Sequence, residues 1–371
     1  MAKRVWRDKL YTISKDEYSI YNEKDYEYNF NVVQSLLVGK NNKLRLGVLY
    51  NHWVSPEGKR FYYGNRCDVH TVSSVLVNEF KVKDFNFDAG IKMINEFYTE
   101  YGAYNIEGSS SQFKGVAPIL NQWQPVRLEL SVGSTYALSP RISAHLNISG
   151  GSISPRTSTL TAESTIPLNE KRILIDVGIM KSFENNSKLK ITSFYVKRID
   201  AVEYDGETLE LYDGSIIALY ENVNQYNYGI ESEFRYNKLF SCITPFANIM
   251  LNKAKVESND GNFIIDDEVP SFIGNIGSTF ELSGFEFNIY CNYTGRYYND
   301  RFVSNDYLTE YGKAPLGDFV DIDIIAAYNL GDKYKIRIFG EIRNLLNKKY
   351  STVAGYHDFG RRIAFGLRMK I

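Results

Sequence analysis

Hydrophobic and polar residues alternate with a period of two along most of the chain. Near the C-terminus, for example, Ile363, Phe365 and Leu367 lie at one parity, and Arg362 and Arg368 lie at the other. Because successive side chains of a β-strand point to opposite faces, such a segment predicts a strand with one apolar and one charged face. Sixteen segments fit a strand: residues 2–12, 27–38, 43–53, 69–80, 84–97, 125–136, 140–150, 171–183, 187–203, 225–238, 241–256, 270–282, 285–299, 318–330, 333–348 and 360–371.

The connections between these segments alternate between short and long without exception. The short ones lie at 39–43, 81–84, 138–141, 184–187, 237–240, 282–284 and 331–333, and the long ones at 13–26, 54–68, 98–124, 151–170, 204–224, 257–269, 300–317 and 349–359. Bacterial transmembrane barrels have tight turns on one side and long loops on the other. The Greek-key crossings of a soluble sandwich give no reason for such an order. The sequence therefore predicts an all-β fold, a transmembrane antiparallel β-barrel, with residues 1–371 in a single barrel domain.

Composition agrees with a barrel, and it argues against a helical membrane protein and a nucleic-acid-binding protein. Mean hydropathy is −0.31, and no apolar run approaches the roughly 18–20 residues of a membrane-spanning helix. Half of each barrel strand is polar, so a low average hydropathy is expected of a barrel. The net charge of −1 provides no basic field, and we expect no nucleic-acid partner.

Histidine, cysteine and serine form no catalytic motif in the sequence. The four histidines have no HExxH spacing, and neither a GxSxG nucleophile elbow nor a phosphate-binding loop is present. The cysteines, Cys67, Cys242 and Cys291, are widely spaced, which favours neither a zinc site nor a disulfide framework. We therefore expect no enzyme activity, no cofactor and no metal site.

Four elements near the C-terminus occur in a specific order: Glu341 to Tyr350 (EIRNLLNKKY), Gly355-Tyr356, Gly360-Arg361 and a last strand with Gly366-Leu367-Arg368. This order and spacing resembles the C-terminal signature of TonB-dependent outer-membrane receptors. Residues 224–233 (NQYNYGIESE) resemble the mid-barrel pattern of the same family, in which a glycine is followed by alternating apolar and acidic residues.

The resemblance implies a fold and a location. Receptors of this family have a twenty-two-stranded barrel that follows an N-terminal plug. Aligned at the C-terminus, the sixteen segments would be the last strands of such a barrel, so we expect an incomplete barrel domain without the plug and the first strands. The location implied is the outer membrane of a Gram-negative bacterium. No signal peptide is visible in this chain, because MAKRVWRDKLYTI lacks an apolar core and a cleavage site.

The resemblance also implies a function, with two alternatives that the residues leave open. The family imports scarce nutrients such as a ferric siderophore, cobalamin or haem. The partners implied are outer-membrane lipid, the nutrient ligand, and a plug domain and TonB only if a missing N-terminal part supplies them. One alternative is a stand-alone passive porin, because sixteen is a legitimate strand number. The other is a non-functional truncated remnant of a receptor.

Candidate site residues fall into two groups. Aromatic rings provide contact area at low entropic cost, and arginine can pair with a carboxylate or catecholate, so the loops that hold both could bind a ligand. The ligand-binding candidates in these loops are Tyr62, Tyr63, Arg66, Tyr101, Trp123, Arg296, Tyr297, Tyr298, Arg301, Tyr356 and His357. Charged residues on the polar strand faces are expected to line the lumen and face a plug: Arg127, Glu129, Arg337, Glu341, Arg343, Arg362 and Arg368.

Overall fold

The structure is a computed structural model of the 371-residue chain. It describes residues 5–12, 15–22, 26–55, 67–101, 119–155, 159, 161–163, 165–210, 216–257, 261–299, 314–330, 336–353, 356–357 and 360–369. These residues form strands and turns, without a helix. Within them, no helix is long and apolar enough to span a membrane.

Seventeen strands form the main antiparallel sheet, which confirms the predicted all-β fold. Its first nine strands are β3 (Tyr26–Val38), β4 (Asn42–Ser55), β5 (Cys67–Val82), β6 (Phe85–Tyr101), β7 (Ile119–Trp123), β8 (Arg127–Ser139), β9 (Ile142–Ile153), β10 (Glu170–Ser182) and β11 (Lys188–Glu210). The other eight are β12 (Ile216–Arg235), β13 (Ile243–Glu257), β14 (Phe263–Ile265), β15 (Phe272–Leu282), β16 (Phe285–Thr294), β19 (Phe319–Leu330), β20 (Ile336–Arg343) and β23 (Arg362–Met369).

Three two-stranded pairs lie outside the main sheet. They are β1 (Val5–Thr12) with β2 (Lys15–Asn22), β17 (Tyr297–Asn299) with β18 (Ala314–Leu316), and β21 (Ser351–Val353) with β22 (Tyr356–His357). The first predicted strand, 2–12, is therefore β1 and belongs to a local pair, not to the main sheet. The sequence explains the difference, because Arg7, Asp8 and Lys9 are consecutive and leave no continuous apolar face for a membrane.

The strands group into two compact units. The first unit comprises residues 1–133, 148–173 and 198–224, and the second comprises 134–147, 174–197 and 225–371. In the first unit β3, β4, β5, β6 and β7 pair in chain order, each antiparallel to the next. In the second unit β13, β15, β16, β19, β20 and β23 do the same, and β14 pairs with the end of β13.

One face of the sheet is apolar and open to solvent. In the first unit Leu46, Leu76 and Ile91 lie side by side across β4, β5 and β6, and each side chain is about 40% exposed. The same holds in the second unit, where Ile338 and Leu367 are directly opposite and are 47% and 64% exposed. Extended apolar surface of this kind marks contact with a membrane or another protein. It is the expected outer surface of a membrane barrel.

Two predicted short connections agree with the strand bounds, whereas two predicted long connections, 13–26 and 204–224, contain strands. Residues 83–84 and 283–284 form two-residue turns, and both Ser283 and Gly284 have positive φ, as a tight hairpin turn of the primed type requires. β2 (Lys15–Asn22) occupies most of the predicted connection 13–26, and the predicted loop 204–224 differs as well. Here β11 continues to Glu210 and β12 begins at Ile216, so most of this loop is an extended strand pair.

Candidate functional site

Three of the predicted ligand-binding residues lie in the connection between β16 and β19. Arg296 directly precedes β17, and Tyr297 and Tyr298 begin that strand. The hydroxyl of Tyr293 donates a hydrogen bond to Asp318 Oδ1 over 3.0 Å, and Arg296 Nη2 lies 3.1 Å from Asp318 Oδ2. These two contacts hold the pKa of Asp318 below its usual range. The Arg296 side chain is 61% exposed, so its guanidinium is accessible to a ligand from solvent.

A hydrogen bond joins this connection to the next long one. The hydroxyl of Tyr297 donates to the backbone oxygen of Thr352 over 2.8 Å. Burial raises the pKa of Tyr297, so the hydroxyl stays protonated and remains a donor. Thr352 lies in β21, whose partner β22 contains Tyr356 and His357. Five of the predicted residues therefore lie on two linked connections, and we call them the loop cluster: Arg296, Tyr297, Tyr298, Tyr356 and His357.

Two further candidates lie in the first unit. The ring of Tyr101 stacks on Tyr98 at 4.4 Å between centroids, and the ring of Trp123 lies 5.2 Å from Phe97. Trp123 is directly opposite Phe97 in the β6–β7 pair, so it shares the sheet face of Phe97. Their role in ligand binding stays a prediction. Four candidates lie outside the described residues: Tyr62, Tyr63, Arg66 and Arg301.

The predicted lumen-facing residues of the first unit are ion-paired. Arg127 Nη2 lies 2.6 Å from Glu96 Oε1, and only 14% and 15% of the two side chains are exposed. Beside them, Lys92 Nζ lies 3.0 Å from Glu129 Oε2. Opposite charges in neighbouring positions of β6 and β8 thus form a ladder along the polar face.

Those of the second unit form a second ladder. Arg337 Nη1 reaches Glu286 Oε2 at 2.7 Å, from β20 across β19 to β16. Ala327 lies directly opposite Glu286 in the pairing of β16 with β19, and its methyl group leaves room for the long arginine side chain to cross. Arg343 Nε lies 3.4 Å from Glu341 Oε1 on the same strand.

Four arginines form two directly opposite pairs in β20 and β23. Arg368 is directly opposite Arg337, and Arg362 is directly opposite Arg343. Like charges at opposite positions repel each other, and Glu286 and Glu341 provide negative charges next to Arg337 and Arg343. That this arrangement faces a plug stays a prediction.

Two groups of interacting polar residues were not found from the sequence. Glu96 and Glu286 are the acidic partners of the two ladders, and only the strand register shows it. His52, Asp68 and His70 come together across β4 and β5, and their ligand atoms all lie within 4.8 Å of one another. No local motif marks them, because the residues that lie between His52 and Asp68 in the sequence separate two paired strands.

One protein-family model matches most of the chain. The family model described as TonB dependent receptor-like, beta-barrel, matches residues 6–345. The chain belongs to the TonB-dependent receptor family. TonB-dependent receptors are proteins of the Gram-negative outer membrane, which agrees with the open apolar face of the sheet.

Solved structures of TonB-dependent receptors share the fold. The ferripyoverdine receptor of the outer membrane of Pseudomonas aeruginosa has a TM-score of 0.66 at 15% identity, over 94% of this chain and 48% of its own. The FrpB iron transporter from Neisseria meningitidis has 0.66 at 12% identity, over 92% and 54%. The ferric-catecholate import receptor Fiu from E. coli has 0.64 at 13% identity, over 95% and 56%. This TonB-dependent receptor barrel thus spans about half the length of these structures. No curated protein matches the chain.

Proposed function

We propose that the chain is the barrel portion of a TonB-dependent receptor that imports a scarce nutrient, such as a ferric siderophore, cobalamin or haem, across the outer membrane. Membership of the family supports this proposal. The solved relatives include two proteins whose names state an iron or ferric-catecholate cargo. In the proposal, the nutrient binds at the loop cluster, and a plug domain and TonB act on the barrel only when another part of the protein supplies the plug.

The observation that supports the loop cluster as the ligand site is the setting of Arg296. Its guanidinium is fixed on one side by Asp318 and stays exposed on the other, beside the rings of β17. An arginine held in this way loses less conformational entropy when it binds a carboxylate or catecholate. Tyr297 ties β17 to Thr352, which keeps the cluster in place.

The test is direct binding to the full chain refolded in detergent. Tryptophan fluorescence would be titrated with three probes: a ferric catecholate siderophore, cyanocobalamin and haemin. We expect one probe to quench in a saturable manner and R296A to weaken its binding about tenfold, the loss of one charge-assisted hydrogen bond. R141A is the matched control, because Arg141 is also exposed and ion-paired, with Glu184, at a short turn.

Equal affinity in R296A and R141A would contradict the role of the loop cluster. Saturable binding of none of the three probes would contradict the nutrient classes proposed. A passive porin predicts a different result again, namely steady conductance in planar bilayers without saturable binding of any probe.

A further inference from the structure

Two histidines and an aspartate lie close together where β4 ends and β5 begins. His52 of β4 lies directly opposite His70 of β5, and Asp68 is two residues before His70. Side chains two residues apart on a strand point to the same face. The three side chains therefore project from the same face, beyond the apolar pair Leu46 and Leu76 and next to the connection at 56–66.

The distances between the three side chains are those of a nearly formed metal site. His52 Nε2 lies 2.8 Å from Asp68 Oδ1, and His70 Nε2 lies 3.5 Å from the same oxygen. In a tetrahedral site with metal–ligand distances of about 2.0–2.1 Å, neighbouring ligand atoms are about 3.3 Å apart. All three ligand atoms already lie within 4.8 Å of one another, and an ion between them requires the two stacked imidazoles to turn towards each other.

Neighbouring aromatic groups orient the imidazoles. The hydroxyl oxygen of Tyr50 lies 2.8 Å from His70 Nδ1, and a proton on Nδ1 donated to this oxygen leaves the lone pair of Nε2 directed at Asp68. The rings of His52 and His70 stack at 4.0 Å with an angle of 11°, and Tyr28 stacks on the other side of His52. An outer hydrogen bond that fixes the tautomer and the ring is the usual support of a metal-binding histidine.

Burial adds an electrostatic reason for a cation. Only 11% of the Asp68 side chain is exposed, compared with 23% for His52 and 32% for His70. A carboxylate removed from water is stabilised by a positive charge close by. Two neutral imidazoles with one carboxylate are a ligand set for divalent transition metals such as zinc, copper or nickel, whereas calcium and magnesium prefer oxygen ligands alone.

We propose that His52, Asp68 and His70 bind one divalent transition metal ion, with Zn²⁺ as the representative and water in the fourth position. The ion joins β4 to β5 on both sides of the connection at 56–66. It therefore stabilises the folded strand pair by mass action. This proposal is independent of the imported nutrient and of the loop cluster.

The first test is Zn²⁺ titration of the full, untagged chain refolded in detergent, followed by calorimetry. We expect one Zn²⁺ ion bound per chain. H52Q and H70Q should each weaken binding by at least tenfold. H145Q is the matched control, because it makes the same substitution in β9, where the His145 ring is 3.3 Å from Thr192 Oγ1 and far from any second histidine in sequence.

Tyr50 acts as a positioning residue, and Y50F should weaken Zn²⁺ binding about tenfold while the stoichiometry stays at one. The spectroscopic test needs no variant. Cu²⁺ bound to the wild-type chain should show hyperfine splitting from two imidazole nitrogens in electron paramagnetic resonance. Therefore a failure of H52Q or H70Q to refold does not prevent a decision.

Three results would overturn the proposal. The first is Zn²⁺ binding that is equal in wild type, H52Q and H70Q. The second is equal loss of binding in H145Q. The third is a Cu²⁺ spectrum without coordinated nitrogen. It would show that the three residues form a hydrogen-bonded group that does not bind the metal ion.

Discussion

Asp323 Oδ1 accepts a hydrogen bond from the backbone N–H of Asn344 over 2.9 Å. The contact joins the interior of β19 to the residue that follows β20. Asn344 is 1% exposed, and its side-chain amide both donates to the backbone oxygen of Lys348 and accepts from the Lys348 N–H. The NLLN segment, on which the family resemblance partly rests, is therefore a turn closed by its own asparagine and anchored to the neighbouring strand.

Replacing this asparagine should be costly. N344A removes two buried hydrogen bonds and leaves both groups of Lys348 without their partner. It also places alanine at a φ of 51°, which asparagine tolerates better. We expect a loss of about 2–3 kcal/mol in the free energy of unfolding, measured by urea titration of the refolded chain in lipid vesicles.

The matched control for this prediction is N186A. Asn186 has a similar φ of 62°, but it is exposed in the turn between β10 and β11. Its replacement tests the backbone contribution alone and should cost about 1 kcal/mol. If N344A and N186A lost the same stability, the amide bridge to Lys348 would not matter.

A second prediction concerns the close approach of Phe339 to Gly366. The two residues are directly opposite in β20 and β23, and a Cβ atom on Gly366 would lie 2.3 Å from Phe339 Cζ. G366A should therefore displace the ring and destabilise the folded chain by about 1–3 kcal/mol. At Gly47, in contrast, a Cβ atom would meet its nearest neighbour at 3.5 Å.

G47A is therefore the control, and it should be neutral or stabilising, because alanine restricts the unfolded chain without a clash. Both variants would be compared by the same urea titration. The clash also predicts rescue, since F339A should cost less stability in the G366A background than alone. Additive losses in the double variant would argue against contact between these two residues.

The strand pattern could be predicted from the sequence because burial in a barrel follows the period of two. Fifteen of the sixteen predicted segments correspond to strands of the main sheet. The exception was 2–12, and the two short strands β7 and β14 were missed. β7 has five residues and pairs with the C-terminal end of β6, from Phe97 to Tyr101. A strand this short has too few residues to show a clear alternation.

The sequence predicted which residues lie on the polar face, but it did not predict their interaction partners. Alternation showed that Arg337 lies on a polar face, but its partner Glu286 is two strands away and becomes apparent only from the register. The same reason hid the group of His52, Asp68 and His70. Histidine motifs of metal sites have a fixed local spacing, whereas these residues meet across a strand pair.

The largely buried ion pair of Arg127 and Glu96, whose side chains are 14% and 15% exposed, leads to a third prediction. E96Q removes one charge of a pair whose side chains are about 15% exposed, and leaves the Arg127 guanidinium without its counter-ion. Breaking a buried pair costs more than breaking an exposed one. We expect E96Q to lower the free energy of unfolding by about 2–3 kcal/mol, again by urea titration.

Arg141 and Glu184 provide the comparison. Their contact distance is also 2.6 Å, but 55% and 83% of the two side chains are exposed. E184Q should lower the free energy of unfolding by less than about 0.5 kcal/mol, and this difference from wild type should disappear at high salt. Equal effects of E96Q and E184Q would show that burial does not set the strength of the pairs on the polar face.

The last prediction concerns acid and the contacts of Asp318 in the connection before β19. The hydrogen bond from Tyr293 and the ion pair with Arg296 lower the pKa of Asp318 in the folded chain. A carboxyl whose pKa is lowered by folding stabilises the fold above its unfolded pKa of about 4, and this contribution is lost as the pH falls through the folded pKa. The contacts should therefore be intact at neutral pH and open in acid.

Hydrogen–deuterium exchange of peptides from residues 293–299 and 314–320, corrected for the intrinsic rate at each pH, would measure this opening. Wild type should show increased exchange below pH about 4, whereas D318N should exchange at one corrected rate from pH 3 to pH 6, because it has no carboxyl to titrate. D205N is the control, since Asp205 accepts a local hydrogen bond from the backbone N–H of Glu207, and its replacement should leave these peptides unchanged. The same rise in exchange in wild type and D318N would assign the acid sensitivity to another group. In that case Asp318 would not hold Arg296 in place.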